Sequence, residues 1–161
     1  GGGKGGATDV TERHDVSVWL GDFNYRVEGN RKLVDLCLSD EMLDVMRAND
    51  QLTKQMRRGK VFKGFSEGPF SFMPTYKFDN GTDNYDSSKK RRIPSWTDRI
   101  LFKSTQRPAG ERAAVPAHLT AYYSVPELRT SDHKPVVARL EFALPEALGG
   151  GTGAAGAGAG G

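Results

Sequence analysis

The apolar positions of this chain fall into short runs rather than long stripes. Val16-Ser17-Val18-Trp19-Leu20 is β-rich and ends at Gly21, which predicts a buried strand followed by a turn. Ser39 stands before Asp40 and Glu41 and predicts the cap of a helix with Met42, Leu43, Val45 and Met46 on its apolar face. Asp50 predicts the cap of a second helix, with Leu52 and Met56 on one face and Gly59 as its stop. Phe70-Ser71-Phe72-Met73 alternates weakly and stops at Pro74, and Thr82 to Arg92 is a polar loop. Arg99-Ile100-Leu101-Phe102 and Val136 to Phe142 read as strands. There is no internal repeat. Strands interspersed with helices predict an α/β (α+β) layered sandwich.

The 161 residues suffice for one domain. Residues 1–8 are mostly Gly, and 149–161 hold only Gly, Ala and one Thr, so both read as flexible and 9–148 as the folded region. The single cysteine, Cys37, excludes an intrachain disulfide and fits a reducing compartment. No apolar run approaches membrane-spanning length and no signal-peptide pattern opens the chain, which predicts a soluble cytoplasmic protein. The net charge of +3 is too small to imply nucleic acid. Its distribution says more. From Asp86 to Lys103, six basic residues (Lys89, Lys90, Arg91, Arg92, Arg99, Lys103) face two acidic ones, a field that favours a phosphate ester or an acidic membrane.

Two segments carry the candidate chemistry, Gly21-Asp22-Phe23-Asn24 and Ser131-Asp132-His133. On an extended backbone Asp22 and Asn24 point the same way. The carboxylate would accept a proton from water and the amide would donate to a phosphoryl oxygen. A plain turn is the other reading, since all these residue types favour turns. His133 would be a positive donor to phosphoryl oxygens, with Asp98 keeping its imidazole oriented and protonated. A surface turn before Pro135 and a simple Asp98–Arg99 ion pair are the alternatives. Tyr76 and Lys77 suit a second phosphate group, or are solvated. The run Lys89 to Arg92 reads as a solvated face, a nuclear-import patch, or a basic group anchored beside Asp98 by Ile93-Pro94-Ser95-Trp96. His14, His118 and Cys37 lack metal-ligand spacing and read as structural or incidental.

Taken in order, four motifs resemble the inositol polyphosphate 5-phosphatase family: Trp19-Leu20-Gly21-Asp22-Phe23-Asn24-Tyr25-Arg26, Pro74-Thr75-Tyr76-Lys77-Phe78-Asp79, Arg92-Ile93-Pro94-Ser95-Trp96-Thr97-Asp98-Arg99-Ile100-Leu101 and Ser131-Asp132-His133-Lys134-Pro135-Val136. The stretch Asp83 to Ser88 is similar to the type II, oculocerebrorenal-syndrome-protein group. Phe23 stands where the family commonly has Leu. The resemblance runs from about His14 to about Phe142. It implies the endonuclease/exonuclease/phosphatase (DNase I-like) fold, in which two mixed sheets pack between helical layers. It also implies Mg²⁺-dependent hydrolysis of the 5-phosphate of phosphatidylinositol 4,5-bisphosphate and related inositol phosphates, at a membrane surface or on soluble substrates. By the family pattern Asp22 activates the water, Asn24 orients the phosphate, Asp98 and His133 form the orienting pair, and Asp132 lies near the metal and water. Tyr76, Lys77, Lys90 and Arg92 contact the 4-phosphate, whereas Arg91 fills a slot that need not be basic.

The family's catalytic domain is about twice as long. The chain resembles its C-terminal half, without the N-terminal Asn, metal-binding Glu and substrate-orienting His. Without that Glu, Mg²⁺ should bind weakly. In a two-sheet sandwich each inner face is buried by the other, so half a sandwich should expose apolar parts of Val16–Leu20 and Val136–Phe142. Two functional classes follow: a phosphoinositide 5-phosphatase that needs its other half, or a non-catalytic phosphoinositide-binding fragment. A metal-dependent nuclease of the same superfamily is a distant third. Its nucleic-acid substrate suits the Tyr-Lys and Lys-x-Arg groups less well than a phosphorylated inositol ring does.

Overall fold

A computed structural model of the protein describes residues 9–106 and 114–142. The Gly-rich ends read as flexible, residues 1–8 and 149–161, lie outside these. A 3₁₀ turn, Val10–Arg13, leads into β1 (Val16–Asp22). Three helices follow, α1 (Arg31–Ser39), α2 (Leu43–Ala48) and α3 (Gln51–Arg57). A long irregular stretch then reaches β2 (Asp98–Ser104), and β3 (Ala117–Ser124) and β4 (Val136–Phe142) close the described fold.

The strands form two antiparallel pairs, β1 with β2 and β3 with β4. Among the described residues the sheets are two-stranded and antiparallel, not the mixed sheets the resemblance implies. The pairs pack against each other through β2, and Tyr122 of β3 donates its hydroxyl to Glu67 at 2.7 Å and accepts from the Ile100 amide of β2 at 3.2 Å. The helices pack in sequence, α1 on α2 and α2 on α3, and α1 and α2 contribute to the core. Val27, Val34, Cys37, Met46, Phe70 and Trp96 form that core, and the Trp96 indole donates to the Phe72 carbonyl at 2.9 Å.

Asp50 caps α3 as expected, accepting from the Thr53 amide at 2.8 Å. Ser39 does not begin a helix. It is the last residue of α1, whose cap is Asn30, accepting from the Leu33 amide at 2.9 Å. The acidic pair after Ser39 imitates a first turn, but it fills the turn between α1 and α2. Phe70 to Met73 forms no strand, although its alternation is real: Phe70 is buried and Ser71 and Met73 are exposed.

Predicted burial fails at β1. Val18, Trp19 and Leu20 are 44%, 53% and 65% exposed, and Phe142 of β4 is also exposed. Val18 and Leu20 lie on one face of the strand and Trp19 on the other, so β1 is open on both sides at these positions.

Candidate active site

The antiparallel register of β1 and β2 sets Asp22 directly opposite Asp98. Two like charges in that position repel unless a cation or a proton donor stands between them. His133 comes from the turn before β4 and meets Asp98, its Nδ1 lying 2.9 Å from Oδ2 and 3.1 Å from Oδ1. The hydroxyls of Thr75 and Thr97 each donate to the same Oδ2 at 2.9 Å. Burial pushes the Asp98 carboxyl up, but the His133 hydrogen bond and charge and the two hydroxyls outweigh it, so the group titrates below its ordinary value. The Asp98 hydrogen bond, opposed by burial and reinforced by the charges of Asp98, Asp132 and Asp22, raises His133 above 6.5. The surroundings therefore favour the protonated imidazole.

Asp22 and Asn24 come together by a different route from the one the strand period suggests. Asn24 has a φ of +57°, which ends the extended backbone. Its amide donates to Asp22 Oδ1 at 2.7 Å, a local turn of the kind Asp and Asn favour. Arg26, singled out by no sequence argument beyond its motif, then fixes the Asn24 side chain. Its Nε and Nη2 donate to Asn24 Oδ1 at 3.0 and 2.5 Å, while its guanidinium lies 4.3 Å from the centre of the Tyr76 ring. With the carbonyl occupied, the amide nitrogen of Asn24 is the donor that side chain offers a ligand. Tyr76 in turn packs on His133, with ring centroids 4.5 Å apart.

Asp132 points elsewhere. It accepts from Lys77 Nζ at 2.6 Å. That bond, with burial as the opposing influence on each, lowers Asp132 and raises Lys77. The carboxylate and imidazole oxygens and nitrogens that cluster within 4.8 Å are those of Asp22, Asp98 and His133, not of Asp132. Of this group Asp22 is the carboxylate with an oxygen to spare for a hard cation, since Asp98 is committed to His133.

Two openings flank these residues. One, of about 330 Å³, lies over Asp98 and His133 with Gly21, Ile100 and Pro135 in its walls. The other, of about 510 Å³, gathers Tyr76, Lys77, Lys89, Lys90 and Arg92. Six of the nine residues singled out from sequence line these openings, and Asp22, Asn24 and Asp132 reach them through the contacts described above. Asp86, unremarked in sequence as more than loop, builds the second opening: it is buried and accepts from the amides of Ser88 at 3.0 Å and Arg92 at 2.7 Å.

Beneath the rim lies a group that sequence reasoning missed. Arg99 is 1% exposed and points away from Asp98 into the core, so an Asp98–Arg99 ion pair is not what forms. Its guanidinium pairs with Asp50 at 2.9 Å and Glu67 at 2.6 Å, and stacks 4.6 Å from the centre of Phe70. Lys134, the residue after His133, is also buried. Its ammonium bonds Asp83 at 3.0 Å and the Pro126 carbonyl at 2.8 Å, and lies over Phe78.

The family model of endonuclease/exonuclease/phosphatase family 2 matches residues 4–139. The human phosphatidylinositol polyphosphate 5-phosphatase type IV is 46% identical over 136 residues, covering 83% of this chain and 20% of that protein. The solved inositol polyphosphate 5-phosphatase domain of SPsynaptojanin, in complex with inositol (1,4)-bisphosphate and calcium ion, is 48% identical with a TM-score of 0.67. The match covers 78% of this chain and 34% of that one. A Cimex nitrophorin solved as a ferrous NO complex is 36% identical, with a TM-score of 0.69, over 81% of this chain and 42% of that one. One fold thus carries proteins of unlike chemistry, and the side chains of the site must decide between them.

Proposed function

The chain belongs to the endonuclease/exonuclease/phosphatase family, and we propose that its site serves hydrolysis of the 5-phosphate of an inositol polyphosphate such as phosphatidylinositol 4,5-bisphosphate. The observation that carries this reading is the Asp98–His133 pair, 2.9 Å apart and flanked by two hydroxyl donors, beside a separate pocket of cations. A single phosphoryl site needs only the first. A substrate with two phosphates on one ring uses both.

His133, its protonated form favoured by Asp98, donates to a non-bridging phosphoryl oxygen and stabilises charge there. The Asn24 amide donates to another. Asp22 accepts a proton from the attacking water, whose oxygen bonds to phosphorus as the bond to the ring oxygen breaks. The proton taken by Asp22 passes through solvent to the leaving ring oxygen, so the products are the ring hydroxyl and inorganic phosphate. Tyr76, Lys77, Lys90 and Arg92 hold the neighbouring 4-phosphate. Mg²⁺ is the expected cofactor, held by Asp22 and the substrate's own phosphate oxygens, one carboxylate plus phosphate being an ordinary arrangement for this ion. When bound it polarises the phosphoryl group and lowers the pKa of coordinated water. A metal role for Asp132 requires its release from Lys77. The substrate class and the basic rim together favour a cytoplasmic protein acting peripherally at membranes. No described helix is long and apolar enough to cross one.

A second reading is a phosphoinositide-binding module without turnover. The cations of the Lys77 pocket, which can hold a phosphate without any bond being broken, favour it. Mg²⁺-dependent phosphate release from phosphatidylinositol 4,5-bisphosphate separates the two, with His133→Ala as control. Release that falls by about 10²–10³ in the variant, the usual cost of one oxyanion donor, supports the enzyme. Lipid binding without release supports the module.

A further inference from the structure

Beyond the pocket of Lys77 lies a second basic groove. It has a volume of about 400 Å³ and is lined by Arg26, Arg31, Lys90, Arg91, Arg92 and Ile93. We propose that this groove binds a second phosphomonoester dianion, separate from the one held by Tyr76 and Lys77, on a lipid headgroup or as a free phosphate.

Two of its cations are fixed in place by the fold. Arg31, on α1, donates Nε to Asp35 at 2.6 Å and Nη1 to the carbonyls of Asp86 and Arg92 at 2.8 and 3.0 Å. Those bonds leave its Nη2 as a positioned donor and pin the loop that carries the other cations. Arg26 is fixed by Asn24 and by Tyr76. Three more cations, Lys90, Arg91 and Arg92, project from the pinned loop and are exposed. Holding five cations on one small opening costs Coulomb energy, and a dianion between them reverses that cost. The acid bonded to this set is Asp35, and both its oxygens are engaged, one by Arg31 and one by Arg91 at 3.2 Å. Among the described residues Arg26, Lys90 and Arg92 pair with no carboxylate.

The groove fits a compact phosphate better than diffuse anionic charge. Guanidinium groups offer planar donor pairs that match phosphate oxygens, and two of the four here, Arg26 and Arg31, are already ordered. Lys90 and Arg92 line both openings, so two phosphates side by side share them. Arg91 belongs to this groove alone, which explains a basic residue at a position the Lys77 pocket does not use.

The test is vesicle cosedimentation of the 161-residue chain. Phosphatidylcholine vesicles carry phosphatidic acid, a monoester, or phosphatidylserine at equal surface charge. The expected result is tighter binding to phosphatidic acid, weakened about tenfold by Arg91→Glu through loss and reversal of one charge at the surface. Arg91→Ala should fall between. Soluble inositol (1,4)-bisphosphate should lose less affinity in Arg91→Glu than in Lys77→Ala, because one of its phosphates reads the Lys77 pocket, and its retained binding verifies that the Arg91 variant is folded. Competition by inorganic phosphate that Arg91→Glu abolishes identifies the free anion as an additional ligand of the groove. Equal binding to both vesicle types, or binding of phosphatidic acid indifferent to Arg91→Glu, overturns the proposal. Failure of the wild type to bind the bisphosphate sinks the Lys77 reading alone.

Discussion

β1 and β2 lie side by side in one sheet, and each ends in a carboxylate of the candidate site, yet they are held in opposite ways. Every second residue of β2 is buried: Arg99, Leu101 and Lys103. On β1, Val18, Trp19 and Leu20 stand open. Asp98 is therefore positioned from below, by a strand locked into the core through Arg99. Asp22 is positioned from its own turn, by the Asn24 amide and the pairing across to β2. Of the two carboxylates, Asp98 is the one whose placement the core enforces.

The largest effect should come from removing the lock. Arg99→Ala leaves Asp50 and Glu67 as unpaired acids in the core, a change that typically costs about 3–5 kcal/mol. Chemical denaturation should show a midpoint shift of that size, large against the stability of a small domain. A loss under about 1 kcal/mol, within the range of an ordinary surface ion pair, would show that β2 is not anchored through Arg99.

Next is the pair that the lock serves. Asp98→Asn removes the acceptor that raises His133, so the alkaline limb of phosphate release should move down towards 6.5, with turnover reduced by about 10²-fold for a mispositioned general acid–base partner. Sign fixes the stability profile too. Asp98 titrates below 3.8 and His133 above 6.5, so their mutual stabilisation is full between those ordinary values. It is lost as pH falls through the lowered Asp98 value, and again as pH rises through the raised His133 value. A limb unmoved in Asp98→Asn would assign the titration to another group.

The smallest effect belongs to β1. Trp19→Ser should alter stability by no more than about 0.5 kcal/mol, as at other exposed positions, despite the loss of its edge contact with Phe62, 5.7 Å between centroids. Sedimentation of the same variant should show less self-association, because an apolar patch is removed. If Trp19→Ser destabilises as much as Arg99→Ala, the contrast between the strands fails.

How much of this the sequence shows depends on distance along the chain. The residues of the rim lie in compact motifs, so their membership in one site is legible. The direction argument for Asp22 and Asn24 misleads because period-2 alternation holds only while φ stays extended, and Asn24 does not. The strand β3 is hidden by a bulge between Leu119 and Ala121, which breaks the alternation midway. Two signals for α1 stand in the open, Asn30 as its cap and Val34 and Cys37 three apart on its buried side, but the acids after Ser39 imitate a helix start more strongly. The Arg99 lock joins partners 32, 46, 49 and 55 positions apart in its hydrogen bonds, counting Tyr122 to Glu67. No local pattern encodes such a contact. The type II likeness rests on the short stretch Asp83 to Ser88 alone, whereas the relatives named above include type IV, so that stretch does not fix the subgroup.

The burial of Lys134 gives the turn of His133 a built-in reporter. Its ammonium is 3% exposed and engaged with Asp83, Pro126 and the face of Phe78, whereas Lys89 and Lys90 stand in solvent. Amine-reactive labels should modify the solvent lysines at once and reach position 134 only when the segment around the imidazole opens. The order in which lysines acquire label thus becomes a clock for local unfolding of the His133 turn, readable by mass spectrometry without any substrate at all.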